Sequence, residues 1–221
     1  MNLKNIKKPS EVSKTKGQVS PLPKGAKAAA NKASIVMAAR KCFEAKGLFD
    51  ASMDDIQAAA NTSRGSLYYH FKSKEEILQT VIDENLGALV IRINQIIQEA
   101  AENNRSFEQI MIELVSLTER ITFGPGKGMA FHCWSYSMVN EEICTIMMKY
   151  FALIRQALEK EIKALQKLGR LPKTIKASEA ASLLFGLMIS GFSVQRNFLG
   201  NKSIDPKTYI KTIISVFGDL K

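Results

Sequence analysis

From Ile35 onward, apolar side chains recur at intervals of three and four residues, and no stretch alternates apolar with polar as a half-buried strand does. The chain therefore reads as all-α. A first helix carries Ile35, Ala38, Ala39, Cys42 and Phe43 on one face. Ser52 caps a short second helix, with Asp55 as the reciprocal acid and Ile56, Ala59 and Ala60 facing inward. Asn61-Thr62-Ser63 interrupts it, because these side chains bond nearby backbone more readily than they sustain a helix, and Asn tolerates the left-handed conformation that ends one. Another short helix starts at Thr62 or Ser63 and runs to Phe71, with Leu67 and Phe71 turned inward. Ser73 to Glu76 is a further capping box, opening a long amphipathic helix from Lys74 to about Glu102 with Ile77, Leu78, Val81, Ile82, Leu86, Leu89, Ile93, Ile96 and Ile97 on its inner face.

The remaining pattern continues in the same way. A box at Ser106 to Gln109 opens a helix that ends near Thr122, before the Gly124-Pro125-Gly126-Lys127-Gly128 connector, which lacks the spacing of a phosphate-binding loop. Met129 to Val139 and Glu141 to Leu168 give a short and a long helix, with a break at Gly169 to Pro172. Ala177 to Leu199 and Pro206 to about Gly218 are the last two, the latter capped by Asp205 with Pro206 at its first position.

Helix, tight turn and second helix between Ser52 and Phe71 form the helix-turn-helix pattern, whose second helix enters the major groove of DNA and meets base edges through its N-terminal residues. On that reading Arg64, Gly65, Ser66 and Tyr68 lie at the groove. Arg64 has the geometry for a bidentate contact to guanine, and Gly65 lets the backbone approach closely. Tyr69, His70 and Lys74 are placed for phosphate oxygens, as are the backbone amides behind Ser52. Capped helices around a polar turn also occur in helical proteins that bind no nucleic acid, so the pattern alone leaves both readings open.

The order I-x-x-A-A-x-x-C-F-x-x-x-G from Ile35, followed by S-M-D-D-I, A-A-N-T-S-R-G-S-L-Y-Y-H-F and K-S-K-E-E-I-L, closely resembles the N-terminal domain of TetR-family transcriptional regulators. The resemblance spans Ile35 to Leu78. It implies a three-helix DNA-binding head on an all-helical body that binds a ligand and dimerises, and it carries Ser52, Arg64, Gly65, Ser66, Tyr68, Tyr69, His70 and Lys74 over as DNA contacts. It further implies a repressor that binds a pseudo-palindromic double-stranded DNA operator as a homodimer and is released by a small molecule. Asn61 departs from the glycine usual at the turn, and asparagine is the next best residue for that backbone conformation. The expected organisation is an arm over 1–31, a head over 32–78 and an effector-binding and dimerisation body over 79–221.

Charge singles out the arm. Of the formal net +10, residues 1–32 hold eight lysines against Glu11, whereas 33–79 hold six basic and six acidic residues. The arm has Pro9, Pro21 and Pro23 and few large apolar residues, so most of it is expected to be disordered, with helix beginning near Ala26. Lys4, Lys7, Lys8, Lys14, Lys16, Lys24 and Lys27 either follow DNA phosphates or serve as a solubilising tail. No apolar run reaches the roughly 20 residues of a membrane span, and Ala180 to Phe192 reads as a buried helix. The basic N-terminus lacks a secretory h-region, which makes the cytoplasm the expected compartment and a membrane an unexpected partner.

Cys42, Cys133 and Cys144 have no paired spacing, so neither a disulfide framework nor a metal is expected, and no cofactor either. His70, His132 and Cys133 are scattered, which argues against an enzyme. The body's supply of Met111, Phe131, Trp134, Met138, Met147, Phe151 and Met188 suits a pocket for a small lipophilic effector. Leu183, Gly186, Leu187, Gly191 and Val194, with Ile210, Ile213, Ile214 and Phe217 on the final helix, offer a dimer seam. Tight packing within one subunit is the alternative for the two glycines. A helical protein-interaction module without specific DNA binding is the competing function.

Overall fold

A computed structural model describes residues 24–123, 129–197, 199–200 and 203–217. The basic arm before residue 24 and the 124–128 connector lie outside the described residues, and with them most of what was expected of the arm. All regular structure among the described residues is helical.

Helix α1 spans Lys24–Asp50 and is broken at Gly47, whose φ of 79° a side chain would strain. Helices α2 (Met53–Ala60) and α3 (Arg64–His70) are joined at Asn61, which takes the left-handed conformation at φ 47°, ψ 47°. Helix α4 covers Lys74–Glu102, α5 Phe107–Phe123, α6 Met129–Ser137 and α7 Glu141–Lys167. Expected ends thus fall within a few residues of those found. Ala59 is the exception on the inner faces, since it is exposed and only Ile56 of α2 is fully buried.

Two apolar cores share α4 and α7 as common walls. The first joins the head to the body: Ile35, Ala39, Phe43, Ile56, Leu67 and Phe71 pack with Ile77 and Val81 of α4, Met129, Cys133 and Tyr136 of α6, and Ile143 and Met147 of α7. The second holds the far halves of α4 and α7 against α5 and the C-terminal helices, around Ile96, Leu114, Ile154 and Phe192. Phe151 packs against both. A boundary drawn at residue 78 therefore falls within α4, and the head's core continues across it.

The segment expected as one buried helix differs most. It consists of α8 (Ala177–Phe185), a π-helical turn (Gly186–Gly191) and α9 (Phe192–Asn197), followed by α10 (Pro206–Phe217). Ala177–Arg196 is long and apolar enough to cross a membrane by composition, yet only 28% of its most apolar window is buried in this chain. The wider turn leaves the Leu187 carbonyl able to accept both from the Phe192 N–H and from the Tyr209 hydroxyl, the latter at 2.9 Å. Tyr209 fills the space beside Gly191, where any Cβ would collide with its hydroxyl. A packing partner 18 residues further along the chain thus sets the local geometry, which helical periodicity could not reveal.

Candidate DNA interface and effector cavity

The head is held by caps that leave one face of α3 open. The Ser52 hydroxyl accepts from the Asp55 N–H at 3.2 Å while the Asp55 carboxylate accepts from the Ser52 N–H at 3.0 Å. Lys46 donates to the same carboxylate at 2.6 Å, and that bond, with those from Ser52, holds the Asp55 carboxyl down at about 2. Ser63 caps α3 through the Ser66 N–H, and Asn31 of α1 donates to the Ser66 hydroxyl at 2.6 Å, so Ser66 is tied to the head's own frame. Leu67 and Phe71 are buried, and Lys32 lies over the Phe71 ring.

On the other side of α3, Arg64 and Gly65 are exposed and Tyr69 is 75% exposed. Arg64 sits over the Tyr68 ring at 5.6 Å, and Tyr69 meets His70 edge-on at 5.0 Å. A Cβ on Gly65 would meet nothing within 4 Å, so no internal contact requires a glycine there. Lys74 corrects the expected set. Its ammonium donates to the Leu48 carbonyl at 2.7 Å and the Phe49 carbonyl at 3.3 Å, and it lies over the Tyr136 ring. It closes the open carbonyl end of α1 rather than facing outward.

Between head and body lies a cavity of about 390 Å³. Phe131, Trp134, Met147 and Phe151 line it, with Ile82, Leu86, Leu89, Met129 and Ile189. Trp134 packs edge-on against both Phe131 (5.9 Å) and Phe151 (6.4 Å). The other three expected lining residues are elsewhere: Met111 and Met188 are buried in the distal core, and Met138, just past the end of α6, is 86% exposed. Helical phase separates them, and composition carried no information about phase. The polar wall was missed: Arg40 and Glu44 of α1, Asn85 of α4, Thr118 and Arg120 of α5. The i, i+4 spacing of Arg40 and Glu44, on a helix otherwise assigned to the head core, was the available signal. Cys133 also lines the cavity, its thiol pushed up to about 12 by burial and hence protonated and a poor nucleophile at neutral pH.

Helix α6 has two working faces. Phe131, Cys133 and Trp134 face the cavity, whereas His132 lies 3.8 Å from where Gly47 would carry a Cβ. Tyr136 donates to Glu75 at 2.8 Å and packs edge-on against Phe49 at 5.1 Å. Sequence reading had assigned Tyr136 no role.

Of the expected dimer residues, Leu183 and Val194 are 65% and 37% exposed, Leu187 is half-buried, and Gly186 faces open space. Gly191 and Ile210 belong instead to packing within the subunit, the glycine against Tyr209 and the isoleucine inside the distal core. Ile213 and Ile214 pack partly against that core, and the Phe217 side chain lies outside the described residues.

The family model described as bacterial regulatory proteins, tetR family, matches residues 35–81. The transcriptional regulator UidR of Escherichia coli is 26% identical over 153 residues, which span 69% of this chain and 75% of that protein. Over residues 35–81 the chain carries the DNA-binding domain of TetR-family regulators. It is a helix-turn-helix DNA-binding transcriptional regulator. Among solved structures, Salmonella enterica GusR superposes with a TM-score of 0.68 at 22% identity, over 84% of this chain and 94% of that one. SmeT, solved with triclosan, gives a TM-score of 0.64 at 16% identity over 85% and 91%.

Proposed function

We propose that this TetR-family protein is a cytoplasmic repressor that binds a pseudo-palindromic operator as a homodimer and is released when a small molecule occupies the cavity between head and body. The observation that carries the reading is the double role of α6, which lines the cavity with Trp134 and Cys133 and grips the head through Tyr136, packed on Phe49 and bonded to Glu75. A ligand that favours one position of α6 shifts the population of head orientations by its differential affinity for the two arrangements. Helix α4 shares this role, because Tyr136 of α6 donates to Glu75 in its first turn.

Arg64, Gly65, Ser66 and Tyr68 are proposed at the groove, with Tyr69, His70 and the amides behind Ser52 at phosphates. The exposed Leu183 of α8 and Val194 of α9 support a two-fold partner there. SmeT, whose solved structure contains triclosan, supports a small-molecule effector for this chain as well.

Selection of bound sequences from random duplex DNA tests the whole proposal. An enriched inverted repeat, lost in Arg64→Ala combined with Tyr69→Ala while the fold is intact, is the expected outcome. Binding that is sequence-independent and disappears with rising salt would instead reduce the head to a non-specific basic contact.

A further inference from the structure

The polar wall of the cavity is rich in donors. Arg40 and Arg120 offer only N–H groups, and Asn85 has its carbonyl oxygen engaged by Arg40 at 2.6 Å, which leaves its amide donors. Against these stands one lining carboxylate, Glu44. Arg120 makes no ion pair or side-chain hydrogen bond with any described residue. Arg40 donates a second bond, at 2.7 Å, to Glu84, which lies outside the cavity lining. Through these two bonds the first helix of the head is tied to α4 at the cavity's edge.

We propose that the effector is an amphipathic anion: an apolar body among Leu89, Trp134 and Phe151, and an acidic end held at the seam of head and body by Arg120 and Arg40. The inference rests on the cavity being the effector site. A guanidinium fork matches a carboxylate, sulfate or phosphate ester, and two of them outweigh Glu44. An acidic group arriving at Arg40 competes with Glu84 for the same N–H groups and so loosens the tie between α1 and α4. The ligand thereby acts on the head directly as well as through α6.

Trp134 is the chain's single tryptophan, so its fluorescence reports occupancy of the cavity without DNA. Full-length protein is titrated with decanoate, decanol and decyltrimethylammonium below their micelle concentrations. Decanoate is expected to bind about tenfold more tightly than the other two. Arg120→Gln lowers decanoate affinity about five- to tenfold and leaves decanol within about twofold, and Arg120→Lys recovers part of the loss. Glu84→Gln raises decanoate affinity about two- to threefold by weakening the competitor for Arg40. Equal binding of all three probes, or an equal effect of Arg120→Gln on decanol, overturns the assignment of charge while the cavity stands as an effector site. No response of Trp134 to any probe, in protein that melts cooperatively, overturns both this inference and the cavity's role.

Discussion

The turn between α2 and α3 and the π-helical turn after α8 both interrupt helices, but for opposite reasons. Asn61 ends α2 by its own conformational tolerance, and Ser52, Asp55 and Ser63 supply the caps from within a few residues. Nothing distant is required, and the chemistry is visible in the string S-M-D-D-I-Q-A-A-A-N-T-S. At Gly186–Gly191 the local sequence is plain apolar helix, and the interruption accompanies Tyr209, which occupies the space beside Gly191 and bonds the Leu187 carbonyl. Local chemistry decides one break, and a contact made only after folding decides the other.

The largest expected effect is at the second break. Gly191→Ala drives a Cβ into the Tyr209 hydroxyl inside a packed core and costs about 2 kcal/mol in denaturant unfolding. In a Tyr209→Phe background the same substitution costs less, and a double-mutant cycle measures the difference. An unchanged cost would mean that the hydroxyl does not set the geometry. At the first break, Asn61→Ala destabilises by roughly 1–2 kcal/mol because alanine resists the left-handed conformation, whereas Asn61→Gly is neutral or slightly stabilising. If both replacements cost the same, the turn is held by contacts and not by backbone preference.

Removing the cap is milder: Ser52→Ala should cost about 1 kcal/mol of head stability, read by thermal melting. The smallest effect is the acid limb. The Asp55 carboxyl sits at about 2 in the folded chain, below its ordinary 3.8. Its contribution is therefore complete above the ordinary value and is lost as the pH falls from there toward 2. Asp55→Asn should flatten that limb of the melting curve against pH, and an unaltered limb would show that other carboxylates control it.

Much of the head was legible because its signals are local. Caps, the left-handed asparagine, the inward Leu67 and Phe71 and the exposed Arg64 and Tyr69 follow from spacing and residue type within about twenty residues. Lys74 was misplaced because its acceptors, the Leu48 and Phe49 carbonyls at the end of α1, lie 26 and 25 residues away in sequence. The cavity was legible in kind but not in membership. Four of seven proposed side chains line it, since abundance of Met and aromatics does not say which helix face meets which neighbour.

Alone, the sequence determined the all-α class, the helix-turn-helix, and the approximate ends of most helices, because caps and apolar periodicity act over one or two turns of chain. Tertiary structure decided the rest: the π-helical turn, the tie of Arg40 to Glu84 and Asn85, the grip of Tyr136 on the head, and which residues surround the cavity. Each of these depends on the relative rotation and depth of helices far apart in sequence. Those quantities are fixed by how whole side chains interlock in the two cores, and no single segment encodes them.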